Sequence, residues 1–339
     1  MKSAIYKKLY NLAPYVVKNG FLGYVCNSMP INFGVELTNI CDANCTFCGY
    51  RFQVRKKGVM DYEVFKRAVD SYCDIGGGAL SLTPTVGEQL LDRDLVNKIG
   101  YARGKKQITQ IWFYTNLISL SLHALDDLLL SGVSLRISTC IKDRDTYKSL
   151  YGVDRYNDVL DNIVRICERN NQLNNPTLIK LFLRVPKPFE NIRQSNDYKI
   201  VSKYFKSEDI IFLDDLYDSW GGRIKESDLP FGSKIYKINY DITKEPCYEL
   251  YRRINVLYDG AVNVCVCRDI NADLRIGNIL KQNILDIWRG NALMELRLKW
   301  IEGEVPEVCH GCQRYIPLSI YFQKRHKDIT MKYVRKIFM

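Results

Sequence analysis

The residues best equipped for chemistry in this chain are its cysteines, 12 among 339 residues. Cys41, Cys45 and Cys48 form a C-x3-C-x2-C array just after a strand-like run at 33–38. Three thiolates suffice to hold three irons of a [4Fe–4S] cluster and leave the fourth iron open. A zinc site wants four protein ligands, and no fourth Cys or His stands near this array in the sequence. A second set lies far downstream: Cys247, then Cys265 and Cys267 after Gly260, then Cys309 and Cys312 flanking His310 and Gly311. On spacing alone, four thiols of this set also fit a zinc ribbon. Cys26, Cys73 and Cys167 read as small buried hydrophobes, and Cys140 ends a strand-like run. His123 and His326 lack partners by spacing and read as surface or helix residues, while His310 sits where it would touch the second thiol set. The sequence shows no Ser-His-Asp arrangement and no phosphate-cradling glycine loop.

Six short runs read as strands that would position these groups: 33–38, 79–83, 108–116, 133–139, 179–185 and 209–214. Helical stretches near 61–74, 91–104, 121–131, 155–171 and 191–205 separate them. Such alternation implies right-handed parallel βαβ units, hence an α/β fold with an open or partly closed barrel. After 215 the pattern changes to a glycine-containing loop (220–233), a hairpin at 254–266 turning at Asp259-Gly260, and one helix near 283–299. Four segments follow: a basic helical extension (1–32), a partial barrel (33–219), a small α+β unit (220–313) and a basic tail (314–339).

Buried parallel strands usually read as unbroken apolar runs, but these alternate. Val133, Leu135 and Ile137 share one face, while Ser134, Arg136, Ser138 and Cys140 share the other. Gln110, Trp112, Tyr114 and Asn116 form a similar face, as do Lys180, Phe182 and Arg184, Glu36 with Thr38, and Ser81 with Thr83. If the apolar face packs under the helices, the polar face lines a cavity suited to a polar ligand; the alternative is an exposed sheet face or a shifted register.

The loop Thr38–Tyr50 resembles that of the radical S-adenosylmethionine (SAM) enzymes, in which a CxxxCxΦC motif follows the first barrel strand, with Phe47 at the aromatic position. The resemblance spans about 35–215 and implies a partial (β/α)6 barrel. It also implies a SAM-binding [4Fe–4S] cluster on Cys41, Cys45 and Cys48, which cleaves SAM to a 5′-deoxyadenosyl radical that takes hydrogen from a substrate. The family's Gly-Gly-Glu turn, which holds the SAM amino group, is matched by Gly87 and Glu88 in Thr83-Pro84-Thr85-Val86-Gly87-Glu88, with Val86 in place of the first glycine. By position, Ser138 resembles the ribose contact, Arg184 a partner for the SAM carboxylate, and Asn116 the family's Thr-Asn pattern. Cys247-x12-Gly260-x4-Cys265 followed by Cys309-x2-Cys312 resembles a SPASM/twitch domain, which implies a second, auxiliary [4Fe–4S] cluster on those four cysteines and leaves Cys267 spare.

The resemblance implies an oxidoreductase, the auxiliary cluster taking the second electron. Twitch enzymes of this kind include dehydrogenases of cyclitol alcohols, so a sugar- or cyclitol-like substrate is expected, with reduction by a flavodoxin- or ferredoxin-type donor. Candidate proton-handling residues follow strand six: Asp215, Asp218 and Arg223. An epimerase is the redox-neutral alternative, with Cys140 or Cys267 as hydrogen donor, and modification of a ribosomal peptide is a third. The contrasting class is a zinc protein of nucleic acid or membrane surfaces. The net charge of +11 lies almost wholly at the ends, +4 within 1–34 and +6 within 314–339. This argues against a nucleic-acid face and leaves two solvated ends or a membrane-surface contact. With no export signal and no apolar run long enough to span a bilayer, a cytoplasmic enzyme is expected.

Overall fold

The computed structural model describes residue 30 and residues 32–318, except 214, 239 and 244. The expectations for the N-terminal extension, for the tail beyond 318, and for Cys26, Asp214 and His326 fall outside the described residues.

Six strands form the barrel sheet: β1 (Asn32–Val35), β2 (Gly78–Ser81), β3 (Ile108–Thr115), β4 (Ser134–Thr139), β5 (Ile179–Arg184) and β6 (Ile210–Leu213). Each is parallel to the next. Helices α1 (Tyr62–Asp74), α2 (Leu95–Arg103), α3 (Leu125–Leu130), α4 (Arg144–Tyr151), α5 (Tyr156–Gln172), α6 (Phe189–Arg193) and α7 (Asn196–Ser202) lie between them. Side chains alternate across each strand as period-two geometry demands. Leu135, Ile137, Leu181 and Leu183 are buried, while Arg136, Ser138, Phe182 and Arg184 remain partly open.

The outline expected from the alternation holds, and two of its details change. The stretch 191–205 is broken into α6 and α7, with Ser195 capping the second by accepting from Tyr198 N. Helix α4 was not anticipated, although its signals stand in the sequence: Asp143 accepts from Thr146 N at 2.7 Å, and Gly152 closes the helix at φ 68°.

The C-terminal part holds the larger surprise. Its hairpin, β9 (Arg253–Val256) and β10 (Ala261–Asn263), turns at Gly260 with φ 81°, as expected. The hairpin does not stand apart, because β9 pairs in parallel with β1, Gly34 opposite Asn255. With β11 (Arg275–Asn278) this gives one nine-stranded sheet in the order β11-β10-β9-β1-β2-β3-β4-β5-β6. Two further strands, β7 (Leu216–Tyr217) and β8 (Lys234–Ile235), pair only with each other. The helix expected at 283–299 is two helices, α8 (Ile284–Arg289) and α9 (Asn291–Ile301), divided at Gly290. Among the described residues no helix is long and apolar enough to cross a membrane.

Candidate active site

The first cysteine loop leaves β1 and is fastened on three sides. Asn44 N and Thr46 N donate to Tyr151 O and Leu150 O at the end of α4, at 3.0 and 2.9 Å. Gly152 makes that approach possible, since a Cβ there would stand 2.1 Å from Asn44 O. Glu88 N donates to Ile40 O at 2.8 Å, and Gly87, at φ 142°, lies against Thr38 O. On the third side the Trp220 indole donates to Phe47 O at 2.8 Å and covers Gly49, where a Cβ would come within 2.5 Å of the ring.

Residues that the resemblance offers for cofactor binding lie around Cys41, Cys45 and Cys48. Glu88 is buried. Its carboxylate accepts from Thr115 Oγ1 and Asn116 N at 2.8 Å and from Leu90 N at 3.2 Å. Burial and the nearby Asp42 push its carboxyl up to about 8. Asn116 Nδ2 lies 3.9 Å from Cys41 Sγ and donates to Asp42 Oδ1 at 2.7 Å. The Arg184 guanidinium sits 4.6 Å above the Phe47 ring, and its Nε is buried without a partner. Burial raises the thiols of Cys45 and Cys48, and the charge of Arg184 opposes that rise. Ser138 lies near Tyr151, whose ring meets Phe47 edge-on at 5.5 Å. Val86, in place of a glycine, is buried and lacks the positive φ that Gly87 has, so its side chain costs no backbone strain.

The second set of thiols lines one cavity: Cys247, Cys265, Cys309 and Cys312, with Cys267 beside them and Trp300 and Tyr315 as walls. Cys267 therefore belongs to this site rather than standing apart from it, and Arg253 Nη1 lies 3.9 Å from its sulfur. Among the described residues no three His, Cys, Asp or Glu side chains converge closely enough to hold one metal ion.

The two sites are joined by a buried bridge. Arg268, next to Cys267 in the chain, lies 4.2 Å over the Trp220 ring, which also covers Gly49 beside Cys48. Arg268 also pairs with Asp218 at 2.6 Å. Asp218 accepts in addition from Trp220 N at 2.7 Å and Tyr236 OH at 2.9 Å, and it lies 3.4 Å from Arg314. Burial alone would raise this carboxyl, but Arg268 and these donors hold it below the usual carboxylate range. Its oxygens are occupied, so Asp218 is a bridge member and not the free base the sequence allowed. Arg223 turns back to donate to Trp220 O at 3.1 Å, and Asp215 is partly exposed between β6 and β7.

Other expectations shift as well. Cys140 is 1% exposed and its thiol is pushed up to about 12 by burial, so it stays protonated at the foot of a tyrosine cluster. His123 is not a surface residue; it is buried, with Nε2 2.9 Å from Leu90 O. His310 is exposed to solvent, although it sits between two of the thiols in the chain. Sequence reasoning missed Trp220 and Arg268, for which an aromatic in a glycine-rich turn and an arginine after a cysteine give no local signal.

Residues 35–180 match the family model of the radical SAM superfamily, and residues 247–313 match that of the SPASM iron-sulfur cluster-binding domain. The chain carries a radical SAM domain followed by a SPASM domain. The structure of BtrN in complex with AdoMet and 2-DOIA resembles it with a TM-score of 0.53 at 18% identity, covering 85% of this chain and 94% of that one. Streptococcus suis SuiB bound to precursor peptide SuiA gives 0.57 at 16%, covering 79% and 66%. Native anSMEcpe with bound AdoMet gives 0.51 at 17%, covering 91% and 98%. No curated protein matches the sequence. As a radical SAM enzyme with a SPASM domain, the chain has a SAM-binding [4Fe–4S] cluster and an auxiliary iron–sulfur cluster as its cofactors.

Proposed function

We propose that this radical SAM enzyme carries out a two-electron oxidation of a small polar substrate of the sugar or cyclitol kind. The observation behind the reading is a sheet row, mostly polar, that runs from the barrel strands to the second thiol site. Ser134, Trp112, Ser81, Gly34, Asn255 and Asn263 form a single row across β4, β3, β2, β1, β9 and β10. Asn263 Nδ2 donates to Cys265 O at 3.0 Å, and Asn255 reaches over Gly34 with both its polar side-chain atoms buried and unpartnered. Polar atoms left bare on such a face call for a polar occupant.

When bound, the cofactors at the two thiol sites supply hydrogen abstraction at the first and an electron acceptor at the second. The protein's own groups then have distinct parts. Cys41, Cys45 and Cys48 hold the first cluster, and Cys247, Cys265, Cys309 and Cys312 the second. Arg184 offers its bare Nε to the SAM carboxylate, Glu88 its carboxylate to the SAM amino group, and Phe47, Gly87, Asn116 and Ser138 shape the rest of that pocket. Asp215, whose carboxylate has no ion-pair partner among the described residues, takes the substrate proton, and Arg223, held to Trp220 O, is a second candidate. Reducing electrons come from a flavodoxin- or ferredoxin-type protein. The location is cytoplasmic.

Two neighbours mark the choice of substrate. BtrN, solved with 2-DOIA, matches this chain over nearly its whole length, which favours a small molecule. Native anSMEcpe with bound AdoMet and Kp18Cys peptide matches over 91% and 99%, which keeps a peptide substrate as the second reading. Anaerobic protein given dithionite and SAM should release 5′-deoxyadenosine, and its substrate should lose two hydrogens in mass. Unchanged mass with one hydrogen taken from solvent would instead mark an epimerase, and Cys140→Ala would then abolish turnover.

A further inference from the structure

The barrel face carries a cation that the proposed chemistry does not use. Arg136, in the middle of β4, lies with its guanidinium 3.8 Å from the Trp112 ring and 5.3 Å from that of Tyr114. Tyr114 in turn meets Phe182 at 5.0 Å. Register sets Arg136 level with Tyr114 on β3 and Lys180 on β5, one row below Ser138 and Phe182. The carboxylates of this region are committed elsewhere. Asp209 pairs with Lys180 at 3.3 Å, and Glu36 is held bidentately by Arg55 at 2.7 and 2.8 Å. Among the described residues Arg136 has neither an ion-pair nor a hydrogen-bond partner. Stacking occupies the flat face of a guanidinium and leaves its N–H edge, which is shaped for the two oxygens of a carboxylate or phosphate.

We infer that Arg136 binds an anionic group of the substrate, a carboxylate or a phosphate, in the barrel beneath the SAM pocket. The inference rests on the radical SAM reading and narrows its substrate to an anion. The aromatic rings fix the plane of the arginine, so its donors are oriented before the ligand arrives.

The test uses the reconstituted holoenzyme under anaerobic conditions with saturating SAM, so that the site at Arg184 is filled. Inorganic phosphate and acetate are titrated separately, and binding is read by phosphorus and proton NMR of the ligand. At least one anion should bind saturably, and the one that does tells phosphate from carboxylate. Arg136→Gln should weaken that binding about tenfold or more, the size expected for losing a charge-assisted pair. Arg136→Lys, which keeps the charge and loses the fork, should fall between. Lys66→Gln on the outer helix α1 should bind like the wild type. The inference is overturned if neither anion binds, if Arg136→Gln and Arg136→Lys both bind as tightly as the wild type, or if Lys66→Gln loses as much as Arg136→Gln. Absence of 5′-deoxyadenosine from a wild-type sample that still binds the anion would condemn the radical SAM reading alone.

Discussion

Asp218 and Cys45 represent the two kinds of residue at this site, one holding the scaffold and one proposed to hold iron. Asp218 and Arg268 form a buried pair, with side-chain exposures of 5% and 14%. Removing one partner leaves the other charge buried, so Asp218→Asn should lose about 3 kcal/mol of stability in a denaturant titration. A role as base predicts instead a loss of turnover with stability intact. Cys45→Ser should lower bound iron from about eight to about four atoms per chain, since only one of two four-iron sites is lost. Colorimetric iron analysis of anaerobically purified protein reads this directly. At this scale the sequence was largely legible, because cysteine spacing and the Gly87-Glu88 pair are local patterns. The partners of Asp218 were not, because Arg268 and Tyr236 reach it only through folding.

Helix α4 shows the same limit one level up. Its cap residues Asp143 and Gly152 could be read locally, but its task, offering the carbonyls of Leu150 and Tyr151 to the amides of the cysteine loop, could not. Gly152 combines a left-handed φ of 68° with a close approach to Asn44 O. Gly152→Ala should therefore destabilise the fold by more than about 1 kcal/mol, with iron loss from the first site before the second. Absorbance loss under chelator, compared with Cys45→Ser, distinguishes the two sites. Strand positions were legible from their alternation, since one face packs under helices and the other does not. The parallel pairing of β9 with β1 was illegible, because a hairpin pattern specifies its own register and says nothing of the edge it joins.

For the whole molecule, that pairing makes the second thiol site part of the main sheet. The variant Cys247→Ser, Cys265→Ser should then lower the thermal midpoint of the entire chain in a single transition, read alike by circular dichroism and by the absorbance of the first cluster. Two separate transitions would mean that the hairpin unfolds alone. The bridge from Gly49 through Trp220 to Arg268 supports the single transition, because it ties both loops to one buried ion pair.

The same bridge bears on how the protein is made. The cysteine loop leaves the ribosome early, yet its outer wall comes from far downstream: Phe47 O waits for a residue 173 positions later, and Arg55 for a carbonyl 215 positions later. Until those segments emerge, the three thiols stand in a half-built cradle open on one side. Trp220 thus shuts over the loop only after the chain has been made well past the barrel strands.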